Sequence, residues 1–362
     1  MAATTKPPAN HEPRLWRIGR ALTATSLGAA AAAGGVFLVL VALLDFPKID
    51  TNAKLDASNL FELLKLSFGV VAGLGALVAL VVAYRRQRLD EASAHRDVTR
   101  LHTERFTTAV TQLGDDSPAV RLGGVHALAG LTDDAPTRDL RQTCIDVLCA
   151  YLRLPHTPDP GPDLEHQQER HHFLALREVH HTILRLIGDH YRAPAGAPRS
   201  WQGCDLDLTG TTIDGRLDFH GAIFTEGKLS FARVILDGGT VRFDDAIFSG
   251  GRLDFREADF KSGEVSFNRA RFDGALVRFV DARFSGADVE FSEGVFLKGL
   301  LDFTGAAFNH GPVSFTKARF CGASVTFLRA SITGAALFFD KATVSDGSLS
   351  LFQPAVRIEQ LA

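Results

Sequence analysis

The sequence predicts an all-β parallel solenoid, a β-helix, carried behind an α-helical segment and a membrane α-hairpin. Three observations carry that expectation. A 12-residue unit, (L/V)xFxxAxFxxGx, recurs without insertion through the C-terminal part of the chain. Two long apolar runs lie near the N-terminus, and the stretch between runs and repeat shows helical spacing broken by Pro-containing turns.

Residues 1–20 are polar, with Lys6, Arg14, Arg17 and Arg20 and little acid to balance them, and are expected to form a cytoplasmic tail. The run 21–46 is nearly free of charge, and 60–84 carries only Glu62 and Lys65 near its start. Each is long enough for a bilayer-crossing helix, which needs about 20 apolar residues. A secretory signal is the rival for the first run, but its apolar core would span only about 7–15 residues. Arg85, Arg86 and Arg88 follow the second run, whereas Lys48 and Lys54 around the loop 47–59 are balanced by Asp45, Asp50 and Asp56. The positive-inside rule then makes 47–59 extracytoplasmic and puts both chain ends in the cytoplasm, a two-pass hairpin in the inner (plasma) membrane. Gly34 and Gly35 in the first run, and Gly69 with Gly73 in the second, offer small faces for close packing, so a homo-oligomer through Gly69 and Gly73 is an expectation.

A cytoplasmic helical domain is expected over 85–192. Arg85 to about Gln112 has helical spacing and mixed charge. Ser117 then stands as an N-cap before Pro118, followed by Val120, Leu122, Val125, Leu128 and Leu131 as an apolar face. A second breaker, AspAspAlaPro at 133–136, opens a helix through Leu140, Ile145, Leu148, Tyr151 and Leu152. Such short helices with equivalent capped turns resemble HEAT-type hairpins. After the Pro-rich stretch 154–162 comes an amphipathic helix with Phe173, Leu176, His180, Ile183, Leu184 and Ile187 on one face. Residues 193–203, with Pro194, Gly196, Pro198 and Trp201, form a linker.

The solenoid is expected over 204–356. Its first apolar series runs Leu217, Leu229, Val241, Leu253, Val265 and onward to Leu349; its first aromatic series runs from Phe219 to Phe339 and ends in Leu351. The second aromatic series runs Phe224, Leu236, Phe248, Phe260 to Phe320, then Ile332 and Val344, each usually two residues after an Ala such as Ala246 or Ala258. Two-residue spacing is strand spacing, and the three-residue step between pairs is a corner, so each unit should supply one strand of about five residues and one of about seven. A single unit per coil would be too narrow for its own side chains, so two units make one coil of about 24 residues and four sides. On the surface, a 24-residue period aligns Asp254, Arg278 and Asp302 and sets Asp259 beside Arg283, whereas a 12-residue period would set Arg271 next to Arg283. About six coils follow, each rising about 4.8 Å. Leu206, Leu208 and Ile213 form a first unit one residue short, which fits a cap closed by the preceding helix.

Ala222–Glu226, Ala246–Gly250 and Ala258–Ser262 resemble the AxFxx units of the pentapeptide-repeat proteins. That resemblance implies a four-sided, right-handed β-helix with the aromatic inside, in a bacterial, membrane-anchored form. This chain departs from it in period, because five-residue sides alternate with seven-residue sides such as Gly227–Arg233. VRLGGVHAL, from Val120 to Leu128, is similar to the helical segment that precedes the repeats in some bacterial members. The family's roles are mostly in binding.

The residues that bear chemistry do not converge. Cys144, Cys149, Cys204 and Cys321 include no CxxC and read as reduced apolar side chains. His166, His171, His172, His180, His181 and His190 crowd one region without an HExxH motif, so no metal ligand is assigned, and a pH-responsive contact there is the alternative use. Asp244 with Asp245, and Glu290 with Glu293, are the acidic neighbours in the repeat, read as turn and surface residues. No catalytic, cofactor or metal residues are assigned. A net charge of −3 argues against a general nucleic-acid binder. The expected function is a non-enzymatic membrane-anchored scaffold for a protein partner. The alternatives are a DNA-mimicking topoisomerase binder, disfavoured by the near-neutral repeat, and a β-helix enzyme with an unrecognised site. A transporter is disfavoured by two spans without charge near their middles.

Overall fold

The computed structural model describes residues 57–154, 159–161, 163–345 and 348–350, with isolated positions between Gly28 and Ala42. The expected first span 21–46 therefore lies largely outside the described residues, as do the tail 1–20, most of the loop 47–59 and the chain end from 351, where Pro354 and Val356 would close the repeat. The chain forms two compact units, Met1–Asp97 and Val98–Ala362.

Helix α1, Ala57–Leu113, is one element. The helical spacing expected from Arg85 to about Gln112 continues the apolar run in the same helix, since the residues after Tyr84 are Arg, Gln, Leu, Asp and Glu, with no Gly or Pro to stop propagation. Within α1, Phe68–Arg88 has mean hydropathy 2.0 and none of it is buried. It is the one stretch among the described residues that is long and apolar enough to cross a membrane.

In the second unit three further helices precede the solenoid: α2, Pro118–Asp133; α3, Arg138–Leu152; and α4, Gln167–Arg192. Ser117 is the N-cap of α2, but its side chain makes no cap bond; its own N–H donates to Asp115 Oδ1 at 2.8 Å, an Asx turn that pre-forms the helix entry. The α3 N-cap is Thr137, one residue beyond the expected breaker, and its Oγ1 accepts from Leu140 N at 3.3 Å. Val125, Leu128 and Leu131 face the core as expected, whereas Val120 is exposed. A Cβ on Gly124 would lie 2.6 Å from the Leu113 nitrogen, so this position lets α2 lie directly on α1.

From Leu206 every strand pairing is parallel. One six-stranded sheet runs from Arg216–Asp218 to Ala336–Phe338 and a second from Thr212–Ile213 to Ser331–Ile332. An eleven-stranded sheet supplies the other two sides, joined where Arg271–Arg278 and Val295–Asp302 continue through a corner. Val265 pairs with Val241 and Val289, partners 24 residues away on either side. Leu206 pairs with Leu229 and Ile213 with Leu236, an offset of 23, so the first coil is one residue short. The expected columns are present in the strand register: Arg278 lies opposite Asp254 and Asp302, and Asp259 opposite Arg283. About six turns result. Most strands are only two or three residues long, shorter than expected, because the corners take the remaining residues.

Phenylalanines fill the interior in columns. Rings from Phe219 through Phe243, Phe267, Phe291 and Phe315 to Phe339 stack at 4.8–5.0 Å. A second column, Phe231 to Phe327, stacks at 4.8–4.9 Å, and a third, Phe224 to Phe320, at 4.7–5.0 Å. The backbone imposes these distances, since adjacent strands lie about 4.8 Å apart. Between columns the rings meet edge to face, as Phe279 meets Phe291 at 6.1 Å and 83°.

The corner after each Phe of the first aromatic series turns on a left-handed residue two positions later. Arg233, Asp245, Glu257, Arg269, Asp281, Glu293, Lys317, Arg329 and Lys341 have φ of 54–60°, and Gly221 and Gly305 occupy the same slot. Each side chain there costs about 1 kcal/mol of strain. Two hydrogen bonds offset it: Ala270 N donates to Phe267 O across the turn at 3.0 Å, and Arg269 N donates to Ser292 O of the next coil at 2.9 Å. The exposed side chains pair along the corner, Arg269 with Asp245 at 2.6 Å and Lys317 with Glu293 at 3.1 Å.

Candidate functional site

The least repetitive part of the second unit is the junction where helices close the first coil. Tyr191, fully buried near the end of α4, sets its ring edge-on to Phe219 at 5.6 Å and donates its hydroxyl to Cys204 O at 3.0 Å. It continues the Phe219 column into the helical layer. Burial raises the Tyr191 phenol well above its ordinary range, so it stays a neutral donor. A Cβ on Gly188 would lie 2.6 Å from Asp218 O, so the helix backbone rests on the coil itself.

Asp133, the last residue of α2, ties three elements together. Its Oδ1 accepts from Trp201 Nε1 at 3.0 Å and its Oδ2 lies 3.3 Å from His190 Nε2. The His190 ring stacks on Trp201 at 4.3 Å, and its Nδ1 lies 2.6 Å from Leu186 O. Both ring nitrogens thus face acceptors. Arg141 of α3 donates to the carbonyls of Thr132, Asp133, Pro198 and Ser200, binding the end of α2 to the linker. Gln142 pairs with the Asp205 backbone in both directions at 2.9 Å, as a neighbouring strand would. Arg153 meets Asp207 at 2.7 Å.

Beside this junction α4 forms a cleft of about 140 Å³ lined by Phe173, Leu176, Pro160, His172, His180, Glu169, Arg177 and Asp214. Its volume matches the roughly 150 Å³ of a cavity that holds benzene, so it has room for one side chain. Its back wall is an ionic cluster: Asp214 receives Arg177 Nε at 2.5 Å and lies 3.1 Å from His181 Nε2. Burial pushes the Asp214 carboxyl up, but the hydrogen bonds and charges of His181 and Arg177 outweigh it and hold the group well below the usual carboxylate range. Asp214 is therefore an anchor for α4, already spent on its partners.

The six histidines between His166 and His190 separate in space and role, and His171 among them is simply exposed. His190 is buried in the junction, His181 binds Asp214, His172 and His180 line the cleft, and His166 faces Glu169 at 3.3 Å. Among the described residues no cluster of His, Cys, Asp or Glu has metal-binding geometry. Asp244 accepts from Arg242 at 2.8 Å and from Ser266 on the next coil; Asp245 pairs with Arg269, Glu290 with Ser292 at 2.8 Å and Glu293 with Lys317. Asp244, Asp245 and Glu293 thus serve coil-to-coil contacts, whereas Glu290 is held within its own coil. Burial pushes the thiols of Cys144 and Cys149 up to about 11 and about 12, far from a reactive thiolate, and Cys204 is raised as well. Gly69 and Gly73 have nothing within 4 Å of an added Cβ.

Sequence reasoning did not single out Asp133, Arg141 or Asp214. A signal was present for the arginine: Arg121 and Arg141 occupy equivalent places in successive helices, and Arg121 likewise donates to the carbonyl of Asp115 after the preceding helix. No family profile matches the chain, and neither a curated protein nor a solved structure matches it.

Proposed function

We propose that this chain is a non-enzymatic, membrane-anchored scaffold of the pentapeptide-repeat kind, from a bacterial inner membrane. In this reading two spans, 21–46 and 60–84, leave both ends in the cytoplasm, and the HEAT-like helices join the anchor to a solenoid that presents surfaces to a protein partner. Close packing through Gly69 and Gly73 would bring copies together. The observation that carries the reading is the way polar groups are used. Outward charges pair from coil to coil, as in Asp245–Arg269 and Glu293–Lys317, so the repeat presents regular faces instead of a convergent reactive set. The same alternation of sign weighs against DNA mimicry, which needs a continuous run of acid.

Quantitative affinity capture from native membranes tests this. The bait is the full chain, compared with charge reversals on two different solenoid sides, Arg271→Glu with Arg319→Glu and Arg283→Glu alone, all exposed residues. A partner lost with one set and kept with the other supports a solenoid binding face. A partner that tolerates both sets moves recognition to the helices, and capture no better than from a membrane lacking the chain overturns the scaffold.

A further inference from the structure

We infer that the end of the exposed apolar stretch of α1 is a docking surface for anionic phospholipid headgroups, formed by Tyr84, Arg85, Arg86 and Arg88. The inference rests on the membrane-tethered reading and adds a lipid class to it. The proposed span 60–84, which includes the apolar part of Phe68–Arg88, exceeds the about 30 Å of a hydrocarbon core at about 1.5 Å per residue, so the arginines after Tyr84 lie beyond the hydrocarbon. Leu77, Val78, Leu80 and Val82 are exposed along it, and no acidic residue occurs between Lys65 and Asp90. At its end three guanidiniums project within four residues, and none of them pairs with a carboxylate among the described residues.

The geometry suits a bilayer interface. Arg88 Nε donates to the Tyr84 hydroxyl at 3.0 Å and its guanidinium lies 5.3 Å from the Tyr84 ring, so the ring's apolar body can face hydrocarbon while its oxygen stays among polar groups. Arg85 and Arg88 stand one helical turn apart, and Arg86 broadens the charged rim. Guanidinium binds phosphate through paired N–H donors. A zwitterionic headgroup carries its own ammonium beside the phosphate, whereas phosphatidylglycerol leaves the phosphate uncompensated. Each basic side chain at an anionic surface gains about fivefold in binding. Asp90 and Glu91 follow close by and reduce the total, although Glu91 also accepts from Gln87 Nε2 at 3.0 Å.

The test uses the purified full chain in nanodiscs of equal phosphatidylcholine and phosphatidylglycerol, with native mass spectrometry counting the lipids retained on release. Retention should favour phosphatidylglycerol by about fivefold or more. The Arg85→Gln, Arg86→Gln, Arg88→Gln variant, which keeps helix propensity, should retain both lipids alike. Equal retention by the unaltered chain overturns the headgroup assignment while leaving the membrane reading intact. Undiminished preference in the triple variant also overturns it. Excess inorganic phosphate, at matched ionic strength, should leave the preference in place; displacement would assign the arginines to free phosphate instead. A chain that enters no nanodisc of either lipid overturns the membrane reading itself.

Discussion

Between Phe219 and Phe339 the solenoid is held by side chains that meet copies of themselves, whereas at the junction with the helices almost no contact is made twice. Within a column a Phe such as Phe255 or Phe267 has a ring above and below at the same 4.8 Å. Asp133 by contrast has one Trp201 and one His190, each met a single time. In a repeat array stability spreads over nearest-neighbour interfaces, while a cap concentrates it in a few groups. The two regions should therefore fail differently.

The largest effect is expected in the middle of the array. Phe279→Ala removes a fully buried ring between Phe255 and Phe303 and should cost about 4 kcal/mol in urea-induced unfolding. A loss below about 1 kcal/mol would mean that the columns are loosely packed. Asp133→Ala should cost about 2–3 kcal/mol by stranding the buried Trp201 Nε1 and His190. Hydrogen exchange should then show helices α2 and α4 opening while the solenoid keeps its protection; equal loss in both regions would erase the distinction between cap and array. Glu257→Gly should stabilise the protein by about 1 kcal/mol, since φ is 57° there and Gly carries no left-handed penalty, and Glu257→Val should do the reverse. Calorimetry of the pair decides whether the corners are strained. The smallest effect is the pH response of Asp214. Its carboxyl titrates lower in the folded protein than in the unfolded chain, so its contribution is complete above about pH 4 and declines as the pH falls below that. Exchange protection of α4 should weaken in acid, and Asp214→Asn should remove that part of the dependence.

The solenoid was legible because its signal recurs. Eleven consecutive Phe slots from Phe219 to Phe339 fix the faces, and interior volume together with the Asp254–Arg278–Asp302 column chooses 24 residues per coil over 12. Strand length was overestimated because the left-handed corners are built on Arg, Glu, Asp and Lys, which give no glycine signal outside Gly221 and Gly305. The junction was not legible: Asp133 lies 57 residues from His190 and 68 from Trp201, and a single long-range contact leaves no period to read. Helical spacing named Phe173, Leu176 and His180 as apolar-face residues, but only tertiary placement makes them the wall of a cleft. In α1, composition distinguishes the apolar run from the charged segment, yet the backbone runs through that change without a break.

The sequence repeats every 12 residues while the coil closes every 24, and this gives the chain's length a parity. Removing or adding one unit in the middle of the array would leave Phe stacked on Phe, although it would break the charge columns that follow the 24-residue period. It would also rotate everything downstream by half a revolution, carrying each outer face to the far side of the axis. A pair of units restores the original heading and changes only the height, by about 4.8 Å. A partner that touches one side of the solenoid and the capped end together would accept relatives that differ by whole coils, and would meet the wrong side in those that differ by half.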